Sequence, residues 1–252
     1  MQPILKVENL TRTFSRKGQE NIAAVDHISF ELRPGECLGI IGESGSGKTT
    51  MVNMITRLLD PSEGKIFLAG EEITARKGKQ LREVYRRMQM VFQTPTDSFD
   101  PRKPLGDGIG ESLRNAGMSR KDTKKEVERC LIKCGLPAEF ASRYPHQVSG
   151  GQCQRAAIAR ALAIRPELLI CDEITSALDV TVQKEILQLL NTLRRKENLS
   201  ILFISHDIAL VQQFCDRLLV MYRGKLIEEG AADEVISHPK EEYTRHLIDS
   251  IL

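Results

Sequence analysis

The stretch Cys37-Leu-Gly-Ile-Ile-Gly-Glu-Ser-Gly-Ser-Gly-Lys48-Thr49-Thr50 decides the fold. Its second part, Gly42 to Thr49, matches GxxxxGK[ST] at every fixed position. A short apolar run, Leu38–Ile41, leads into it, and Met51, Met54, Ile55 and Leu58 follow at helical spacing. Strand, glycine-rich turn and helix in that order are the context in which this pattern cradles phosphate. The glycines let the backbone curl until successive N–H groups face one anion, and the helix N-terminus adds partial positive charge. The candidate phosphate-binding residues are Gly42, Glu43, Ser44, Gly45, Ser46, Gly47, Lys48, Thr49 and Thr50. Lys48 is placed to reach the β- and γ-phosphates, and the Thr49 hydroxyl to ligate Mg²⁺. A glycine-rich strand–helix turn that binds nothing is the alternative.

Two more apolar runs of strand length, Leu168–Cys171 and Ile201–Ser205, lie downstream. Runs of this kind fit strands buried on both faces of a parallel sheet. Helical patterns follow each run, as where Val182, Ile186, Leu189, Leu190 and Leu193 share one face, and βα alternation predicts a doubly wound α/β core. The second run ends in Asp172-Glu173. There Asp172 is placed to hold Mg²⁺ through its water shell, and Glu173 to polarise an attacking water. A merely solvated strand end is the other reading of that acidic pair. His206 follows the third run, at the carboxyl end of a strand, where ligands sit in open α/β sheets. Gln93 ends the run Met90-Val-Phe, and its amide could touch both a metal and a moving segment.

The flanks differ from the core. Before residue 35 the pattern alternates, with Ile28, Phe30 and Leu32 on one face, and a short strand is predicted at Ile66–Ala69 between Gly64 and Gly70. The segment LLVMYRGKLIEEG predicts two strands joined at Arg223-Gly224. From about Thr94 to Gln147 strand signals vanish, and helical stripes such as Val127, Cys130, Leu131 and Cys134 take over. The spacing therefore predicts one domain over 1–252, with an α/β core over 1–93 and 148–252 and a helical subdomain over 94–147.

Composition narrows the function. The chain of 252 residues is long enough for a sizeable core without staples. Its net charge of +2 gives no reason to expect a nucleic-acid partner or an anionic membrane surface. Hydrophobic content of 41% with 28% charged residues excludes disordered, collagen-like and fibrous classes, and zero Trp with 5% aromatics argues against an aromatic stacking surface. No apolar stretch approaches the roughly 20 residues that span a bilayer, and the first residues do not read as a secretory signal. The six Cys include no CxxC pair and read as reduced, mostly buried thiols. Cys130 and Cys134 have helical metal-ligand spacing but sit on the apolar stripe, and the basic run Arg76–Arg87 reads as a solvated face.

Val148-Ser-Gly-Gly-Gln152, ahead of an Ala-rich helix, resembles the signature of ATP-binding-cassette (ABC) ATPases, usually written LSGGQ. The rest of that family's set follows the chain in order: the phosphate loop, a Q-loop at Gln93, the Asp172-Glu173 pair, a Ser176-Ala-Leu-Asp179 D-loop and a switch His206. Phe14 falls where the family places an aromatic that stacks on adenine, though it could equally pack inward as a strand residue. The resemblance covers nearly the whole chain. It implies a P-loop NTPase (RecA-like) parallel-sheet core with an N-terminal antiparallel β subdomain and an inserted α-helical subdomain. It implies ATP and Mg²⁺ as ligands, with Thr49, Gln93 and Asp172 around the metal and Glu173, His206 and Gln93 in catalysis. It also implies two cassettes facing head to tail, so that Ser149, Gly150, Gly151 and Gln152, with Asp179, meet the nucleotide of the opposite subunit.

Phe92-Gln-Thr-Pro-Thr-Asp-Ser-Phe-Asp-Pro-Arg102, SALDVTVQ from 176, and the tail His238-Pro-Lys-Glu-Glu-Tyr-Thr-Arg-His-Leu resemble cassettes of oligopeptide, dipeptide and nickel importers. That implies two transmembrane permease subunits, a second ABC ATPase that is a paralogue or another copy, an extracytoplasmic substrate-binding protein, and a place on the cytoplasmic face of the cell membrane. The short tail leans toward the nickel or metallophore type. The rival is a soluble ABC clamp of DNA repair or translation; such proteins carry coiled-coil arms, CxxC insertions or two cassettes. Three positions depart from the family pattern: Val148 for Leu, Cys153 where Arg is common, and Ile174 for the Pro after the catalytic Glu.

Overall fold

The structure is a computed structural model that describes residues 2–14 and 22–250. Its strands are β1 (Leu5–Phe14), β2 (Ile22–Leu32), β3 (Cys37–Ile41), β4 (Glu63–Leu68), β5 (Glu71–Glu72), β6 (Met88–Val91), β7 (Leu168–Asp172), β8 (Ser200–Ile204), β9 (Arg217–Tyr222) and β10 (Lys225–Ala231). Its α-helices are α1 (Lys48–Ile55), α2 (Gly78–Arg87), α3 (Leu105–Asn115), α4 (Arg120–Lys133), α5 (Gly150–Leu162), α6 (Val180–Glu197), α7 (Ile208–Phe214), α8 (Ala232–Ser237) and α9 (Glu242–Asp249).

Two sheets divide the strands. The larger runs β10-β9-β3-β8-β7-β6, parallel from β9 to β6, with β10 antiparallel at its edge. The smaller, β2-β1-β4-β5, is antiparallel. The apolar runs are continuous because both faces of the large sheet are covered. Side chains alternate between faces: Leu38, Ile40, Leu168, Ile170, Leu202 and Ile204 pack with Met51, Met54 and Ile55 of α1 and with the smaller sheet. Their neighbours Cys37, Ile41, Leu169, Cys171, Ile201 and Phe203 pack on the opposite side with α5, α6 and α7. The α/β core and its antiparallel flank thus match the fold class read from the sequence.

Local readings differ in places. The strand expected at Ile66–Ala69 begins at Glu63 and ends at Leu68, because Ala69 turns to φ 46°. Gly64 lies inside it, at φ 92°, and a Cβ there would stand 2.4 Å from the Asn9 carbonyl oxygen. The glycine marks a close backbone approach within the strand rather than its boundary. The basic run forms α2, in which only Val84 is buried.

Between β6 and β7 the described chain is helical. Leu105, Ile109 and Leu113 of α3 meet Val127, Cys130 and Leu131 of α4, with Cys134, Leu136 and Phe140, in a cluster continuous with α5. All six thiols are free and buried. Burial pushes the Cys130 thiol up to about 11, so it packs as a small apolar group.

Candidate nucleotide site

The parallel strands β3, β7 and β8 are neighbours, and their carboxyl ends bring together the candidate residues. The register sets Ile40 opposite Ile204, and Ile204 opposite Asp172. The phosphate loop leaves β3, the acidic pair ends β7, and His206 follows β8.

The loop turns on three glycines with positive φ: Gly42 at 152°, Gly45 at 82° and Gly47 at 105°. At Gly42 a Cβ would lie 2.2 Å from the Met221 carbonyl oxygen, and at Gly47 2.3 Å from that of Ala24. Only glycine fits where the loop is pressed between β9 and β2. Within it Lys48 is 6% exposed, and its Nζ donates to the carbonyl oxygens of Gly42 (2.6 Å) and Glu43 (2.8 Å) and to Ser46 Oγ (3.4 Å). Burial pulls the Lys48 ammonium below the ordinary lysine range, against the charges of Glu173, Asp172 and Glu43. Asp172 is shifted up, by burial first and by the Glu173 charge second, with Lys48 opposing. The three groups thus share one electrostatic site.

Glu173 is the centre of a polar cluster. Gln93 Nε2 donates to its Oε2 at 3.2 Å and to Ser176 Oγ at 3.3 Å, and the Ser176 hydroxyl donates to the Glu173 carbonyl at 3.0 Å. His206 Nδ1 stands 3.6 Å from the same Oε2, with the ring largely exposed. Glu173 itself adopts φ 49°, and its N–H donates to the Ile204 carbonyl at 3.0 Å. A non-glycine residue in that region carries strain of about 1–3 kcal/mol, which the neighbouring strand holds in place. Asp207 N–H donates to Ser205 Oγ at 3.0 Å, and Asp207 Oδ1 in turn accepts the Leu210 N–H to cap α7. These bonds fix the turn that carries His206.

Other candidates lie apart from this cluster. Phe14 is 43% exposed at the end of β1, with the Arg12 guanidinium 4.8 Å from its ring centroid, so it does not pack inward. The Ser149 hydroxyl accepts the Gln152 N–H at 3.3 Å, and Gln152 Oε1 accepts the Ser149 N–H at 3.0 Å, a reciprocal cap on α5. Asp179 Oδ1 accepts the Val182 N–H at 3.0 Å and caps α6. Ser149, Gly151 and Gln152 line a cavity with Arg155, Val182 and Glu185, and none of residues 42–50 borders it. Cys153 is buried in the core, and burial pushes its thiol up to about 11. Ile174 is also buried, directly after Glu173.

The donor set suits a nucleotide with a hard divalent ion. Among the described residues no three His, Cys, Asp or Glu side chains gather as a metal cage. The Asp172 carboxylate beside Lys48 fits the usual pattern, in which one or two carboxylates hold Mg²⁺ together with substrate phosphates. The contact that sequence reasoning missed comes from Tyr243, whose hydroxyl accepts the Glu43 N–H at 3.1 Å. Its segment, His238 to Thr244, stood out in the sequence only as a subfamily marker.

A family model described as ABC transporter matches residues 25–176. The oligopeptide transport ATP-binding protein OppF of Salmonella typhimurium is 43% identical over 234 residues, covering 92% of this chain and 70% of that protein. OppF of Bacillus subtilis is 41% identical over 99% of this chain and 83% of its own length. The di/tripeptide transport ATP-binding protein DppF of Pseudomonas aeruginosa is 40% identical over 99% of this chain and 79% of its own length. Among solved structures, the dimeric post-hydrolysis state of the ATP-binding cassette MJ0796, bound to ADP and Pi, superposes with a TM-score of 0.82 at 31% identity, covering 90% of this chain and 98% of that one. The cbiO1 protein of Clostridium perfringens, part of the ABC transporter complex cbiONQ, gives 0.85 at 29% identity, over 94% and 92%.

Proposed function

The chain belongs to the ABC transporter family and is an ATP hydrolase, and on that premise we propose that it energises a membrane importer of peptides. The observation that carries the proposal is the convergence of Lys48, Asp172, Glu173, Gln93 and His206 at the carboxyl ends of adjacent parallel strands.

In this reading Lys48 and the loop N–H groups other than those of Glu43 and Ser46, which are bonded within the protein, hold the phosphates, with helix α1 adding its positive end. Thr49, Asp172 and Gln93 would hold Mg²⁺, which would supply charge neutralisation on the phosphates. Glu173 would accept the proton of the attacking water; Gln93 and Ser176 orient its side chain and backbone, and His206 stands 3.6 Å from its carboxylate. Phe14 offers an exposed ring for adenine.

Ser149, Gly151 and Gln152 line a cavity that none of residues 42–50 borders, and Gly150 and Asp179 lie at the starts of α5 and α6. That separation supports a second cassette, whose phosphate loop meets this signature in a head-to-tail pair. The segment 94–147 then acts as a helical subdomain that carries the signature toward and away from the partner.

Membrane contact comes through partners. Among the described residues no helix is long and apolar enough to cross a membrane. A groove of about 300 Å³ between the core and α3, lined by Leu58, Tyr85, Met90, Phe92 and Glu111, exposes Leu58 and Phe92 and suits a docking element from a permease subunit. We place the chain peripherally on the cytoplasmic face, with two permease subunits, a second cassette and an extracytoplasmic binding protein. The short tail leans toward nickel or a metallophore, but the names of the relatives favour peptides instead.

The test is purification of this chain from native membranes in mild detergent, with co-purifying proteins identified by mass spectrometry. Recovery of two multi-span subunits and a second cassette is expected, together with a binding protein that takes peptides. Recovery with soluble proteins or nucleic acid alone contradicts the proposal.

A further inference from the structure

Tyr243 reaches the phosphate loop from the far end of the chain. It lies on α9 within His238-Pro-Lys-Glu-Glu-Tyr243-Thr, a segment to which the proposed function gives no role. Its hydroxyl accepts the Glu43 N–H at 3.1 Å across 200 residues of sequence. The same peptide unit carries the Gly42 carbonyl, which accepts Lys48 Nζ at 2.6 Å. A peptide unit is planar and stiff. The phenol and the ammonium therefore hold opposite edges of one rigid plate.

The phenol is itself held. Its ring lies 4.0 Å, centroid to centroid, from Tyr222 at the end of β9. The preceding residue, Met221, presents the carbonyl that presses on Gly42. The turn entering α9 is tied to β10, where the buried Glu228 carboxylate accepts the N–H groups of Lys240 (2.9 Å) and Glu241 (3.2 Å). The Gly42–Glu43 peptide is thus gripped between β9 and α9.

We propose that Tyr243 is a positioning residue for ATP binding, fixing the Gly42–Glu43 peptide so that Lys48 is aimed at the nucleotide phosphates. The inference rests on the reading of residues 42–50 as the ATP phosphate loop. Tyr243 touches no reacting atom, so its hydroxyl governs how well the loop receives ATP rather than the bond-breaking step.

The experiment compares the chain, in its purified complex, as wild type, Tyr243→Phe and Glu228→Gln. Steady-state ATP hydrolysis and melting without nucleotide are measured for each. Tyr243→Phe keeps the ring against Tyr222 and loses only the hydrogen bond. KM for ATP is expected to rise about 3- to 10-fold, the worth of one such bond. Its kcat should stay within about twofold of wild type, because no transition-state contact is removed. Glu228→Gln loosens the turn that carries Tyr243 and should raise KM in the same direction by a smaller factor. A purely structural tail predicts lower melting temperatures with KM unmoved. An unchanged KM in both variants, or a loss confined to kcat, overturns the proposal. Wild-type protein that does not turn over ATP overturns the ATP reading itself, a result distinct from either.

Discussion

Lys48 is held between opposing influences. Burial favours its neutral amine, while Glu173, Asp172 and Glu43 favour the ammonium, and burial prevails. Phosphate is bound by the charged form. In the nucleotide-free protein that charge is lost as pH rises through a point below the 10.5 of an ordinary lysine. ATP affinity measured by equilibrium binding from about pH 7 to about pH 10 should therefore fall with rising pH before a free lysine would titrate. A fall in affinity that sets in only where a free lysine titrates contradicts the placement of Lys48. Lys48→Ala should lose ATP affinity at every pH, and unchanged affinity would mean that the loop holds no phosphate. The residue types at this site were legible because each belongs to a local pattern: Lys48 closes GxxxxGK[ST], and Asp172-Glu173 ends an apolar run. Phe14 had two readings in the sequence, and only its exposure separates them. The Tyr243 bond to Glu43 spans too much chain for any local pattern to carry it.

At the scale of elements, glycine positions and caps do most to shape the site. Gly47 combines φ 105° with a backbone oxygen 2.3 Å from any added Cβ, so Gly47→Ala must move the loop against β2. The variant should fold yet bind ATP much more weakly in the same binding assay, and wild-type affinity would contradict the geometry. Asp179 caps α6 through the Val182 N–H. Asp179→Ala should lower folding stability by about 1 kcal/mol in denaturant unfolding, and no loss would mean that the cap is idle. The strands buried on both faces were readable because their apolar runs are unbroken. Gly64 was misread as a strand end because glycine marks a turn and a close backbone approach alike, and only the nearby Asn9 carbonyl distinguishes them. Cys153 stands where the family commonly has Arg, and its side chain is buried in the core formed by α5.

The signature residues Ser149, Gly151 and Gln152 line a cavity that the phosphate loop does not border, and α5 shares its core with the large sheet. On the proposed head-to-tail pairing, a second cassette would complete the site. More of that cassette should be recovered with the Glu173→Gln chain when ATP and Mg²⁺ are present than when they are absent, and recovery indifferent to ATP contradicts the head-to-tail pairing. The architecture was legible because alternating apolar runs and helices leave few topologies open. The register that brings His206 and Gln93 to Glu173 depends on strand order, which no run of residues states. The most direct measurement is ATP turnover by the purified complex carrying Glu173→Gln. Retained ATP binding with turnover lower by roughly 10²–10⁴-fold is the predicted result, the usual worth of a general base. Turnover at the wild-type rate would contradict the role of Glu173 and the account built on it.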